Sequence, residues 1–289
     1  MALVINTNNA ANIGARNLSK TQDAQAQVFN RLSTGLRINS AKDDAGGLFL
    51  AEAQTKDIKG LAVATRNAGD GISLAQTAEG ALDQINTNLQ RINELALQSA
   101  NGTYNTAARN GLQKEVDALT QEIKRVTDTT EFNGKKLLNT AATKIGLQVG
   151  FRNSAGSKID AGIVCGGLAK KGASGNALSA IIKGTLTSTG TVKVNTQTAA
   201  QASIELTRKA IDSVSELRAT FGAVMNRFES VISGNQTYSQ NLTAARSRIQ
   251  DADFAAETAN LAKQQVLQQA GVSALGQANS APQVALGLL

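Results

Sequence analysis

Two small groups of carboxylates have residue types and spacings that could do chemistry. Asp43 and Asp44 stand directly before an alanine and two glycines. Asp251, Asp253 and Glu257 lie close together near the other end of the chain. Paired carboxylates can bind a divalent cation or share acid–base work, but either role needs a further ligand or base, and none follows nearby. We therefore predict that both groups sit at helix starts, where negative charge is favourable, and that the first group marks a hinge.

The composition argues against most catalytic and metal-binding chemistry. The 289 residues include no histidine, no tryptophan and one cysteine, Cys165. Histidine is the usual general base and the commonest metal ligand, and one cysteine can form neither an internal disulfide nor a zinc cluster. We expect a protein that is not an enzyme, with no catalytic residues, no metal and no cofactor.

The net charge of +7 does not by itself indicate a nucleic-acid partner. The basic residues are scattered in runs of two at most, and aromatic residues, at 3% of the chain, offer few stacking platforms. No apolar stretch reaches the roughly twenty residues that a membrane-spanning helix needs. Residues 1–20 also lack a basic region followed by an apolar core, so we expect no Sec-type signal peptide. We predict a solvated basic surface, with no nucleic-acid and no membrane partner.

A heptad repeat organises the C-terminal part of the chain. Between Val214 and Ile249 the pattern steps alternately by three and four residues, and only Asn235 on it is not apolar. This spacing predicts a long helix that packs against other long helices, knob into hole, in a rod. The positions are Val214, Leu217, Phe221, Val224, Phe228, Val231, Asn235, Tyr238, Leu242, Ala245 and Ile249.

The N-terminal half supplies partner helices with the same spacing. One apolar stripe runs from Ile58 to Ala75 and continues, after a slip of one step, from Leu82 to Ala96. A second stripe runs from Leu112 to Val126. We predict a mainly α fold, a long antiparallel rod in which three helices share a core of Ala, Leu, Ile and Val.

The two ends of the chain carry weak apolar faces on a background of alanine and glutamine. Such helices are marginal alone in water, so each end needs a partner. We predict that the ends pair with each other as a coiled coil and also contact neighbouring copies of the chain. The residues expected to carry this assembly are Leu18, Val28, Leu32, Phe254, Leu261, Val272 and Leu275.

The pattern changes between the helical parts. Asn133-Gly134 predicts a tight turn, and the alternation at 145–149, followed by a short strand at 158–160, predicts a small β-hairpin. From 165 to 198 the chain is rich in Gly, Ser and Thr and shows no heptad pattern. We predict a short outer segment there.

Several stretches form a distinctive set: LSTGLRINSAKDDAGG at 32–47, LQRINELALQSANGT at 89–103, EFNGKKLL at 131–138, NLTAARSRIQDADFAAETANL at 241–261 and VLQQAGVSALGQAN at 266–279. With them the chain resembles bacterial flagellin, over residues 1–150 and 199–289. The resemblance implies that the termini form an inner tube and the helical rod an outer tube, with the middle of the chain facing solvent. Flagellins usually lack cysteine, so Cys165 is a departure from the family.

We accordingly predict three domains. Residues 1–42 with 250–289 form a terminal coiled-coil domain, and residues 43–164 with 199–249 form a helical rod domain with a β-hairpin. Residues 165–198 form the short variable outer segment.

The function implied by the resemblance is that of a structural subunit which self-assembles into the flagellar filament, the propeller for swimming. It also implies export by the flagellar type III route to the extracellular filament. The implied partners are other copies, an export chaperone, the cap protein and hook-associated junction proteins. Two alternatives are a hook–filament junction protein, which shares such ends, and a surface adhesin or polysaccharide-binding rod that uses the basic middle segment.

Three further residues are expected to form a recognition surface. Arg91 and Leu95 are four residues apart beside the apolar stripe of 82–96, so we expect both on one exposed face. Glu115 takes the equivalent flank of the neighbouring helix. These positions match the motif by which flagellins of the enterobacterial kind are recognised by a host Toll-like receptor. The resemblance thus implies that receptor as a partner, and we expect the same face to contact the next subunit.

Overall fold

The fold is seen in a computed structural model that describes residues 8–138, 145–153, 157–160 and 192–286. Helices dominate these residues, which confirms the predicted mainly α fold. The helices are α1 (Asn9–Thr34), α2 (Ala45–Ala100), α3 (Thr106–Thr129), α4 (Gln197–Gln250) and α5 (Phe254–Leu286). The strands are β1 (Glu131–Phe132), β2 (Lys135–Lys136), β3 (Gly146–Gln148) and β4 (Lys158–Asp160).

Polar caps set several helix ends. The side chains of Asn8 and Asn105 accept hydrogen bonds from the first turns of α1 and α3. Gly35 ends α1 in the left-handed conformation, at a φ of 70°, where a residue without Cβ is favoured. Local sequence therefore delimits these helices independently of the packing.

The chain forms two compact units. The first consists of residues 1–58 and 240–289, and the second of residues 59–239. The predicted domain boundaries at 42/43 and 249/250 remain a prediction.

The core of the second unit is shared by α2, α3 and α4, as the heptad stripes predict. Val116, Ile123 and Phe221 are almost fully buried in one cluster with the stripe of α2. α2 runs antiparallel to both α3 and α4, because residues further along α2 meet residues further back along each of these helices. The contacts that show this are Thr207 with Asn93, Arg218 with Asp83, Arg109 with Ser99, and Arg91 with Glu115.

α4 begins 17 residues before Val214, which is the first position of the predicted heptad pattern. The same three-and-four spacing continues upstream through small residues, and these are buried. They are Ala200, Ser203, Thr207 and Ala210. Small side chains let helices approach closely but carry no strong apolar signal, so the pattern underestimates the helix. α2 is likewise continuous through the one-step slip between Ala75 and Leu82.

Both predicted turn elements are present. Asn133 and Gly134 have φ values of 49° and 74°, and they join β1 to β2 in an antiparallel hairpin. β3 pairs with β4 in antiparallel register, with Leu147 opposite Ile159. The second pair places an apolar face against the helices.

Phe228 anchors that face. It is fully buried with Ala68, Val149 and Ile159, and it fills the space above Gly71. A Cβ at residue 71 would lie 2.8 Å from Phe228 Cζ, so glycine is needed for this close approach.

Asn235, the polar position of the α4 stripe, also has a structural role. Its amide Nδ2 donates to the carbonyl oxygen of Val149 at 3.0 Å. This polar break in the heptad pattern therefore attaches the β3–β4 pair to α4.

The predicted outer segment, 165–198, is too long. Val192 and Val194 are buried in the helical core, and α4 begins at Gln197. The amide of Gln113 binds this segment through two hydrogen bonds: its Nε2 donates to Val192 O at 2.8 Å, and its Oε1 accepts from Val194 N at 2.6 Å. Residues 165–191, including Cys165, lie outside the described residues.

Replacing Phe228 by aspartate should destabilise the protein. The change Phe228→Asp puts an unpaired carboxylate in a fully buried site, so we expect a loss of about 4 kcal/mol or more and no cooperative melting of the second unit. Asn226→Asp, two residues away and exposed, is the matched control. Calorimetry of both variants checks this, and equal melting temperatures would contradict the assigned core.

Removing the Gln113 amide should weaken the attachment of residues 192–194. Gln113→Ala leaves a backbone N–H and a carbonyl unpaired, so we expect a loss of about 1–3 kcal/mol in the free energy of unfolding. Gln121→Ala, at an exposed site on the same helix, should change it little. Urea titrations compare the two, and a Gln113→Ala variant as stable as the control would refute the role.

Candidate assembly interface

α1 and α5 form an antiparallel pair within the first unit. Leu275 Cδ1 lies 3.0 Å from where a Cβ of Gly14 would stand, and Leu18 Cδ1 lies 3.4 Å from the same point at Gly271. At the far end, Asn8 Nδ2 donates to the carbonyl of residue 278 at 2.8 Å. The predicted pairing of the two chain ends is therefore present in a single chain.

The seven residues predicted for terminal assembly divide into two sets. Five lie in the helix pair: Val28 is buried, and the other four are half-buried, namely Leu18, Leu32, Leu261 and Leu275. Phe254 and Val272 are instead 60% and 56% exposed. Phe254 and Val272 are exposed because α5 packs on α1 through a different stripe of residues. This stripe holds the least exposed positions of α5 and runs next to Val272 without including it. That stripe is Glu257, Leu261, Gln264, Gln268, Gly271, Leu275 and Ala278.

Glu257 has a role that its sequence position did not reveal. It lies in the first turn of α5, as predicted, but its carboxylate is buried and its Oε1 is 3.1 Å from Nη1 of Arg31 on α1. The sequence signal was its heptad spacing from Gln264 and Gly271, which places it on the inner stripe. Asp253 takes the helix-start role, accepting from the backbone N–H of residues 255 and 256.

The carboxylates near the start of α2 are structural as well. Asp44 caps α2, as predicted, by accepting from Gly47 N at 2.9 Å. Asp43 instead organises the preceding turn, so its predicted helix-start role is wrong: its Oδ2 accepts from the backbone N–H of Asn39 and Ser40 and from the Ser40 hydroxyl. These bonds, led by the Ser40 backbone N–H, hold the pKa of Asp43 below its usual value.

Nothing in the described ranges points to a metal centre or a membrane span. Among these residues no three acidic or cysteine side chains come together in a way that could hold a metal ion. Their helices also include none with the length and apolar character needed to cross a bilayer.

The helix pair leaves large apolar side chains on its outside. Six residues of α1 and α5 are between 45% and 65% exposed, and we call them the outer terminal face. They are Ile13, Phe29, Phe254, Val266, Leu267 and Val272. Exposed apolar surface of this extent commonly marks a contact with another molecule.

A second surface joins α2 to α3. Arg91 Nε donates to Glu115 Oε1 at 2.9 Å, and Arg91 Nη1 donates to Glu94 Oε2 at 3.0 Å. The Arg91 and Glu115 side chains are 51% and 44% exposed. The hydrogen bonds that Arg91 donates to Glu94 and, next in size, to Glu115 raise the pKa of its guanidinium above the ordinary value.

Leu95 is not on this surface, so its predicted exposure is wrong. It is 1% exposed and belongs to the helical core. The reason is that α2 packs against both α3 and α4, so its buried stripe is wider than a single heptad seam and includes Leu95 as well as Ile92 and Ala96.

Comparisons with known proteins agree with this architecture. Residues 5–143 match the family model described as bacterial flagellin N-terminal helical region. Residues 194–289 match the model described as bacterial flagellin C-terminal helical region. The two models together cover well over half of the chain.

Relatives match along their whole length. The chain is 42% identical to a flagellin of Xenorhabdus nematophila, with 100% of both chains covered. It is 39% identical to a flagellin of Halalkalibacterium halodurans, with 99% of this chain and 100% of the relative covered. A solved structure of a putative flagellar hook-associated protein from Vibrio parahaemolyticus is similar in fold, with a TM-score of 0.58 at 15% identity, covering 72% of this chain and 100% of that one. Because both family models and full-length relatives agree, the chain belongs to the bacterial flagellin family and is a structural subunit of the flagellar filament, the propeller of swimming cells.

Proposed function

We propose that subunits contact one another in the filament through the outer terminal face of α1 and α5. The same proposal places the subunit in the extracellular filament after flagellar export. Its further partners are an export chaperone, the cap protein and hook-associated junction proteins.

The observation that carries the proposal is the mismatch between the two sides of the helix pair. The inner stripe of α5 includes two glutamines and a glycine, whereas Phe254, Val266 and Val272 point outward with more than half of their surface exposed. Burying a side chain of this size contributes about 1.5–3 kcal/mol. Contacts between copies therefore supply apolar burial that the helix pair does not obtain within one chain.

A charge on the outer terminal face should block assembly without unfolding the subunit. Val272→Asp adds a carboxylate at a site 56% exposed in the single chain, so we expect unchanged melting of the second unit but loss of polymerisation. Ser273→Asp, one residue away and already polar, is the matched control. Seeded growth followed by light scattering and electron microscopy measures the effect, and long filaments of Val272→Asp would argue against the proposal.

We also propose that the surface formed by Arg91, Glu94 and Glu115 serves two contacts, with the next subunit and with a host Toll-like receptor. The guanidinium is exposed and held in a fixed orientation by two carboxylates on neighbouring helices. Arginine in such a setting is favoured at interface hot spots. Leu95 contributes from beneath, by supporting the part of α2 that carries Arg91.

Removing the Arg91 side chain should weaken both contacts. We expect Arg91→Ala to lower the affinity of the monomer for the receptor ectodomain by about tenfold or more and to slow filament growth. Arg208→Ala is a suitable control, because the Arg208 side chain is also more than half exposed and also paired with a glutamate on its own helix. Surface plasmon resonance on monomers and on filaments provides the measurement. Filaments that bound receptor as well as monomers, per subunit, would rule out a shared surface.

The variant Leu95→Ala tests whether Leu95 supports the part of α2 that carries Arg91 or touches the receptor itself. Because Leu95 is buried, this change should lower the free energy of unfolding by about 2–5 kcal/mol, whereas Arg91→Ala should leave it nearly unchanged. Weaker receptor binding by Leu95→Ala with unaltered stability would show that Leu95 touches the receptor directly.

A further inference from the structure

The helix pair of α1 and α5 contains one buried charge. Within the described ranges Glu257 is the only charged residue classed as buried, with 7% of its surface exposed. It lies on the inner stripe of α5, and its ion-pair partner Arg31 comes from α1. The pair therefore joins two segments that are 226 residues apart in the chain.

The geometry of this pair is poor for stability. Arg31 Nε and Glu257 Oε2 are both buried and form no hydrogen bond with any described residue. A buried ion pair with unsatisfied atoms loses much of its attraction to the cost of desolvation. Buried polar groups at helix interfaces are instead well known to select one register over others.

The rest of the inner stripe selects a register only weakly. Around the middle of α5 it consists of Gln264, Gln268 and Gly271. A shift of seven residues would replace Gln264 and Gly271 by other small or polar residues and Gln268 by a leucine, which also packs between two helices. In one direction such a shift would bring Glu257 level with Ala24. In the other it would bring Glu257 level with Ile38, beyond the end of α1 at Thr34. Neither Ala24 nor Ile38 is a cation, so either shift would separate Glu257 from Arg31.

Backbone bonds next to the pair favour the observed register, but only from one end of the two helices. Arg37 N donates to Gln250 O at 2.7 Å, and Ala252 N donates to Gly35 O at 3.0 Å. A shift of seven residues would break these bonds, although the same bonds could form equally between two different copies. The ion pair adds a side-chain contribution to the register further along the helices.

We propose that Arg31 and Glu257 are the positioning residues that set the register of α1 against α5, and so specify the terminal helix pair that enters the filament. This inference rests on the proposed role of these helices in assembly. In this proposal the ion pair determines which residues of α1 lie opposite which residues of α5. The outer terminal face determines how strongly subunits associate.

Engineered disulfides can read the register directly in assembled filaments. In a Cys165→Ser background, Leu18→Cys with Gly271→Cys joins residues that are in contact in the observed register. Leu18→Cys with Gln264→Cys, and Leu18→Cys with Ala278→Cys, report shifts of one heptad in either direction. Filaments are oxidised, dissolved and analysed by peptide mass spectrometry for disulfides within one chain.

We expect the native pair to cross-link about tenfold more than either shifted pair when Arg31 and Glu257 are intact. Adding Arg31→Leu and Glu257→Leu should reduce this preference to roughly threefold or less, because apolar residues at these positions fit several registers. The exchanged pair, Arg31→Glu with Glu257→Arg, should restore it. Lys263→Leu, which removes an exposed charge from the same helix, should leave it unchanged.

Each outcome decides between the possibilities. A leucine variant that kept the full preference for the native pair would overturn the inference, as would an exchanged pair that failed to restore it. Variants that do not polymerise alone are copolymerised with a roughly ninefold excess of unmodified subunit. Incorporation of the exchanged pair but not of the leucine variant supports the inference, and exclusion of both overturns it. If the intact background gave no disulfide in any register, the proposed role of α1 and α5 would itself fail.

Discussion

Knob-into-hole packing of α2 against α3 and α4 is the interaction on which the second unit depends. Because α2 has partners on two sides, Leu95 and Ile92 are both buried, and its exposed residues form one stripe on the side away from α3 and α4. The β3–β4 pair and the segment at 192–194 then dock on this core through Phe228 and Gln113. The surface available for other molecules is therefore what the three-helix packing leaves uncovered, which includes Arg91 and Glu115.

The first unit follows a different balance. α1 and α5 pair through an inner stripe with few large side chains, and they keep residues such as Phe29 and Val266 on the outside. A helix pair built this way gains little from pairing alone, and the proposed contacts with further copies would add the apolar burial that it lacks. The inside of the pair mixes leucines with glutamines, a glycine and one ion pair, while several of its largest apolar side chains remain outside.

Most of the fold was predictable from heptad spacing and turn chemistry, and the failures have a common physical origin. The start of α4 was missed because its buried positions are Ala, Ser and Thr, which pack without an apolar signature. The exposure of Leu95 was wrong because a single seam was assumed for a helix with two partners. Arg31 was missed altogether, since a lone arginine on a weak helix gains its role only when a residue 226 positions away is brought to it. Local patterns predict elements, whereas pairings between distant segments appear only in three dimensions.

The Gln113 amide imitates one residue of a neighbouring β-strand, since it donates to one backbone carbonyl and accepts from the next N–H but one. The Gln113 amide hydrogen-bonds only to main-chain atoms of residues 192 and 194, so these two bonds do not depend on most of the side chains there. The chain is therefore held at residues 192–194, where it rejoins the helices, by hydrogen bonds that do not depend on the side chains preceding them. A peptide inserted between residues 160 and 192 would accordingly leave both hydrogen bonds of Gln113 available.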